Sequence, residues 1–237
     1  MSGARSSAAV NARATRISLL VGVGATAVAT LIGTVLGVIA GYSGGVVDTL
    51  LSRFTDLTLA FPQLIFMISL ASLVPSSFPK QYFMILVIGM FGWPSVARVV
   101  RGQTKVLRNR SFVVAARAVG ASPVHILFTE ILPNLGSTIT VIATMSIPGA
   151  IGTEAALSFL GIGVPPPTPS WGREIASAIG WVSVDPWYVA APGIALFLVT
   201  LSLNAFGDGL RDALDPRMTG LRASRTRGLL RLRGSQR

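Results

Sequence analysis

Residues 17–40 carry no charged side chain. At about 1.5 Å of rise per residue, that run reaches roughly 36 Å as a helix, more than the hydrocarbon thickness of about 30 Å. It predicts a membrane-spanning helix, and every other element must be arranged around it. The run is longer than the roughly 7 to 15 apolar residues of a signal-peptide core, and no small-residue cleavage site closes it, so it is not read as a removable leader. Apolar runs at 57–74, 82–97, 139–160 and 188–206 repeat the signal. The predicted fold class is therefore an all-α polytopic membrane protein with about five transmembrane helices. Composition agrees, because 51% of the 237 residues are hydrophobic and only 12% are charged, about half the charged share of a soluble domain.

The formal net charge of +11 could suggest nucleic acid, but the basic residues cluster between apolar runs, as membrane topology requires. Arg98, Arg101, Lys105, Arg108, Arg110 and Arg117 follow the third run. Arg211, Arg217, Arg222, Arg225, Arg227, Arg231, Arg233 and Arg237 follow the fifth. Both regions are predicted to be cytoplasmic, whereas 75–81 and 161–187, poor in basic residues, lie outside. The turn 41–48 then falls inside and the N-terminus outside, against the preference of Arg5, Arg13 and Arg16. Three parts result: a basic segment at 1–16, a membrane body at 17–210, and a basic tail at 211–237, expected to be disordered and to touch anionic lipid. No nucleic-acid partner is expected. With no cysteine and one histidine, His125, and no paired carboxylates in view, no catalytic residue, metal or cofactor is assigned.

Local signals refine the bundle. Gly33, Gly37 and Gly41 leave one helix stripe open to close backbone approach, either within the chain or at a subunit seam. Pro62 and Pro94 each remove a backbone donor and should bend a spanning helix, and such bends can open a cavity. Arg53 with Asp56, and Asp208, Arg211, Asp212 and Asp215, read as local helix-end pairs without chemistry. Glu154 stands within an apolar run, where a carboxylate is costly, so a wet cavity, a partner, protonation or a structural cap is required. Trp171, Trp181 and Trp187 stand in the outer segment, at a depth where tryptophan anchors the membrane interface.

The stretch SFVVAARAVGASPVHILFTEILPNL, 111–135, is too interrupted to span. Ser111 suits an N-cap, Phe112, Ala115, Ala116 and Val119 share one small-sided apolar face, Gly120 suits a left-handed stop, and Ser122-Pro123 restarts a helix. A two-turn helix cannot hold itself in water and needs a groove. An amphipathic helix lying on lipid headgroups is the alternative.

These residues resemble the inner-membrane permease subunits of bacterial ATP-binding-cassette importers, in the dipeptide/oligopeptide/nickel branch. The family's cytoplasmic E-A-A-x3-G-x9-I-x-L-P pattern is matched by Ala115, Ala116, Gly120, Leu132 and Pro133. Val114 stands at the glutamate position and Glu130 at the isoleucine position. ISLLVGVGA, IAGYSGGVVDTLLSRFTDLTLAFPQ, GWPSVARVVRGQ, AARAVGAS, ILPN, EAALSFLGIGVPPPTPSWG and GDGLRDALDPR are similar to the branch in order and spacing.

The resemblance implies a type I importer permease fold with a cytoplasmic coupling helix. It implies half of a translocation path for peptides, with nickel or another small solute, or a truncated non-transporting protein, as alternatives. The partners implied are a second permease subunit in a heterodimer, two ATPase subunits, an extracytoplasmic substrate-binding protein and membrane lipid. No phosphate-binding G-x4-G-K-[ST] occurs, so ATP hydrolysis is expected in the partner chain and not here. Phe112, Ala115, Ala116, Val119, Gly120, Leu132 and Pro133 are implied to couple to the ATPase. Glu154 is a pathway candidate, whose change to leucine is expected to disturb uptake more than assembly. Pro166, Trp171 and Trp181 are candidates for an outer gate or binding-protein contact. Family members carry one more helix ahead of the 17–40 run, so a start placed too late or a truncation is expected.

Overall fold

A computed structural model describes residues 2–75, 78–165 and 168–214, with side chains from Ala14 onward. Among the described residues every regular element is helical. α1 (Ser2–Ser43) runs on to α2 (Gly45–Ala60) and α3 (Gln63–Ser72). α4 (Lys80–Arg108) leads to the short α5 (Ser111–Ala118) and a single turn, α6 (Pro123–His125). A π-turn (Ile126–Ile131) enters α7 (Leu132–Phe159), followed by α8 (Trp171–Ala178) and α9 (Pro186–Leu214). Four helices are long and apolar enough to cross a membrane, and the α2–α3 pair makes a fifth if counted as one span.

Three boundaries differ from the sequence expectation. Residues 2–16 form no separate segment, because α1 carries them into the first span as one helix. The second run, expected as one helix over 57–74, begins at Gly45 and breaks between α2 and α3 with a 78° bend. Phe61, forced from helical backbone by the proline after it, is extended at φ −79° and ψ 139°. Pro94 lies inside an unbroken α4 instead. At the far end α9 keeps Arg211 in helix up to Leu214, and the rest of the expected tail lies outside the described residues.

The glycine stripe is an intramolecular seam. A Cβ at Gly33, Gly37 or Gly41 would stand 2.7 Å from the carbonyl oxygen of Trp93, Ala97 or Arg101, respectively. α4 answers with Gly89, whose Cβ would stand 3.0 Å from the Ala25 carbonyl. Two backbones in this proximity gain dispersion contact, the main attraction open to helices already in lipid. α2 and α3 lie over α4 through Phe54 stacked on Trp93 and Phe66 against Phe91.

Gly37→Leu is expected to lower the yield of monodisperse protein in detergent and to cost about 1–3 kcal/mol or more, the usual range for overpacking. Gly102→Ala, where an added Cβ meets nothing within 4 Å, should leave both unchanged. Purification yield and thermal unfolding of the two variants check the difference.

Candidate functional site

α5 is held between two defined ends. Arg110, extended at φ −73° and ψ 150°, takes the N-cap position, so Ser111 is the first helical residue and not the expected cap. At the other end Gly120 is left-handed, at φ +85°. Its N–H donates to the Arg117 carbonyl at 3.1 Å, and the Ala121 N–H donates to the Ala116 carbonyl at 3.0 Å. That pair of bonds is the Schellman stop, which needs a residue without a Cβ penalty at its turn. Ser122 then caps the restart, its hydroxyl accepting from the His125 N–H at 3.3 Å, with Pro123 at the first helical position. The widened π-turn precedes Pro133, whose ring would press on the carbonyl four residues back in a regular helix.

Of the four residues expected on one presented face of this stretch, Ala116 turns inward. Val113 is fully buried and Ala116 partly so, both packed with Val100, Ile126, Ile131 and Leu135. Phe112, Ala115 and Val119 remain outward, Val119 at 86% exposure. Ala116 therefore anchors the helix to its own bundle rather than joining the outward face. Leu132 is half-buried and Pro133 exposed, and it is their neighbour Ile131 that fixes the start of α7 in the core.

A basic clasp binds this loop to the α1–α2 turn. Arg108 donates from Nη1 to the Tyr42 carbonyl at 2.9 Å, capping the end of α1. The Arg117 guanidinium lies 5.9 Å from the Tyr42 ring centroid, within cation–π range. Asp48 accepts from Arg101, with its Oδ1 on Nε and its Oδ2 3.1 Å from Nη2, and meets Lys105 Nζ at 2.6 Å. Sequence reasoning passed over Asp48. The signal was one acid beside a Gly-Gly turn in a chain whose predicted inner face is otherwise arginine-rich. Asp56 likewise pairs with Arg98 at 2.9 Å instead of Arg53. That pair is more than half exposed and contributes at most about 1 kcal/mol.

In the membrane body a cavity of about 310 Å³ lies between α1, α3, α4 and α7. Its lining includes Gln63, Ser95 and Gly149, which directly follow Pro62, Pro94 and Pro148. Of the two prolines expected to bend a helix, Pro62 stands at the break beside this cavity, whereas Pro94 borders it from within an unbroken helix. Glu154 does not line it. Its side chain is fully buried, Oε2 accepting from the Ser18 hydroxyl and Oε1 from the Ser158 hydroxyl, each at 2.6 Å. Of the settings expected for Glu154, the structure gives it partners, in a polar contact between α1 and α7.

The end of the bundle away from α5 holds the tryptophans in different settings. Trp171 is fully buried against Ala14 and Ile151, with Leu19, Leu196 and Val199 around it. It is a core residue and offers no surface to a gate or a partner. The reason is Gly172, where a Cβ would stand 1.9 Å from the Ala155 carbonyl, so α8 folds flat onto α7. Trp181 is 58% exposed and Trp187 75%. Pro166 lies outside the described residues.

Residues 33–220 match the family model described as a binding-protein-dependent transport system inner membrane component. The chain is 41% identical over 203 residues to the oligopeptide transport system permease protein of Haemophilus influenzae, covering 85% of this chain and 64% of that protein. It is 42% identical over 205 residues to the glutathione transport system permease protein of Escherichia coli, covering 86% and 67%. The chain thus spans about two thirds of the length of these relatives. A chain of a methionine ABC transporter, solved in inward-facing conformations, shares the fold with a TM-score of 0.69 at 18% identity, over 87% of this chain and 96% of that one.

Glu154→Leu is expected to strand the Ser18 and Ser158 hydroxyls and to lower stability by about 1–3 kcal/mol, whereas Glu154→Gln keeps an acceptor and should cost less. Thermal unfolding in detergent checks the order. A leucine variant as stable as the unmodified chain would show that the contact contributes nothing to packing.

Proposed function

This chain belongs to the family of binding-protein-dependent transport system inner membrane components, and on that premise we propose that it forms half of an ATP-driven import path for peptides. The family is one of transport components and not of enzymes, and its fold is that of an ABC importer permease. In this reading ATP is hydrolysed by two partner ATPase subunits, a second permease chain completes the path as a heterodimer, and an external binding protein delivers the substrate. The peptide assignment is supported by relatives named for oligopeptide and for glutathione, itself a tripeptide.

The observation that carries the coupling role is the position of α5. Val113 and Ala116 anchor it, and the clasp of Arg108 and Arg117 on Tyr42 fixes it to α1. Phe112, Ala115 and Val119 stay uncovered. An outward face of one aromatic ring and small aliphatic groups suits a protein cleft, because small residues admit a partner backbone and no charge has to be desolvated. Leu132 and Pro133 serve the same unit by starting α7 behind it. At the opposite end Trp181 is the proposed contact for the binding protein, being exposed and aromatic.

Gly120→Leu tests this reading. An added Cβ meets nothing within 4 Å, so the objection is the left-handed backbone, which costs a residue other than glycine about 1–2 kcal/mol. Uptake driven by ATP in the reconstituted complex is expected to fall several-fold while the chain still reaches the membrane, and Gly120→Asn should fall less. Unchanged uptake in Gly120→Leu would refute the coupling role.

A further inference from the structure

No residue of α2 enters the hydrophobic clusters that join α1, α4, α7, α8 and α9. Its two buried side chains are polar, Asp48 and Thr55, and Thr55 donates to the Leu51 carbonyl of its own helix at 2.7 Å. Among the described residues, Asp48 is thus the one buried side chain of α2 that reaches another element. The polar and aromatic links of α2 run to α4: Asp48 to Arg101 and Lys105, Asp56 to Arg98, and Phe54 stacked on Trp93 with ring centroids 5.6 Å apart. Behind these links lies a gap of about 30 Å³, with Leu51, Ser52 and Thr55 on one side and Gly37 and Ala97 of the α1–α4 seam on the other. The helix is held by a clasp and not by a core.

Both ends of α2 are built to turn. Gly44 and Gly45 precede it at φ +68° and +53°, two successive left-handed residues that a side chain would disfavour. At the other end the chain leaves the helix through extended Phe61, and α3 departs at 78°. Elements that swing as units do so about a few terminal residues of this kind. The clasp between them is wet, because the Arg101 and Lys105 side chains are 32% and 42% exposed. Parting from Asp48 turns them toward water, so the pairing can be exchanged at low cost. The first hinge also lies beside α5. Arg108 holds the Tyr42 carbonyl, a Cβ at Gly44 would stand 2.7 Å from the same Nη1, and Arg117 of α5 lies over the Tyr42 ring. A displacement of α5 is therefore delivered where α2 pivots.

We propose that α2 is a two-hinged lever that parts from α4 during each transport cycle, and that Asp48 is the positioning residue that latches it closed in this conformation. The inference rests on the reading of the chain as an ATP-driven permease, and adds to it an element that must move and a side chain that holds it. Asp48 acts through Arg101 and Lys105, and what it sets is when α2 is free. Without the latch α2 moves before α5 drives it, and ATP is hydrolysed without uptake.

The test uses the complete complex in proteoliposomes, with ATP hydrolysis and uptake of labelled dialanine measured together per assembled complex. Asp56→Cys with Arg98→Cys places two thiols across α2 and α4 at an exposed pair, in a chain without cysteine of its own. Joined by a short reducible thiol-to-thiol crosslinker, this complex is expected to lose uptake about tenfold or more and to regain it on reduction, because a tethered lever cannot part. The unmodified complex given the same reagents accounts for thiols of the partner chains. Asp48→Asn removes the charge, and the ATP hydrolysed per dialanine taken up is expected to rise about threefold or more, whereas Asp48→Glu should stay near the unmodified ratio. Equal uptake in the joined and reduced forms would overturn the lever, and this arm decides even where Asp48→Asn does not assemble. An unchanged ratio in Asp48→Asn, with only less complex formed, would make Asp48 a structural contact and overturn the latch. Failure of the unmodified complex to take up dialanine with ATP would overturn the peptide permease reading and the lever with it.

Discussion

The backbone contact of α1 with α4 sets the position of every other feature. Lipid tails are as apolar as leucine, so once inserted the two helices have no hydrophobic reason to associate and must gain from packing itself. Gly33, Gly37, Gly41 and Gly89 remove the side chains that would hold the axes apart. With the seam closed, the ends of the two helices are in register. Tyr42 stands by Arg108, and the turn after it brings Asp48 to Arg101 and Lys105. α5 follows α4 by two residues and inherits this placement. The same seam sets Ala25, Thr26 and Ala29 of α1 opposite Ile88, Gly92 and Ser95 of α4, two sides of the cavity.

Polar groups within the bundle fall into two kinds, those with partners and those without. Glu154 is saturated: two hydroxyls from different places in the chain meet its two oxygens, and it does not line the cavity between α1, α3, α4 and α7. The Thr26, Thr30 and Thr34 hydroxyls have no partner and are closed off from solvent. A carboxylate at that depth draws the eye in a sequence because its isolation there is expensive, but the contact it makes is closed. The threonines draw none, since a hydroxyl on a helix usually bonds its own backbone.

Much of this was legible from residues alone. Length and hydropathy gave the spans, the four-residue glycine spacing gave a close seam, and Gly120 with Ser122-Pro123 gave a helix stopped and restarted. The bend at Pro62 was expected, though its severity was not, because only the fold reveals that nothing holds α2 and α3 in line there. Ala116 was placed on the presented face of α5 for a plain reason. SFVVAARA is apolar on nearly every side, so periodicity cannot choose between Val113 with Ala116 and Phe112 with Ala115. Trp171 was assigned to the interface on residue type, while its burial follows from Gly172 admitting the Ala155 carbonyl, a contact between distant segments. Asp48 and Glu154 were beyond reach for the same cause, since their partners Arg101 and Ser18 lie 53 and 136 residues away.

The central claim is that the outward face of α5 seats in a partner ATPase. The chain has no cysteine, so Val119→Cys places a single thiol on that face, at the C-cap of α5, where the native side chain is 86% exposed. Treating the complete complex with a short thiol-to-amine crosslinker should join this chain to the ATPase subunit and not to the second permease chain. A thiol that stays freely reactive toward small polar reagents in the assembled, transporting complex, with no crosslink to the ATPase, would contradict the account.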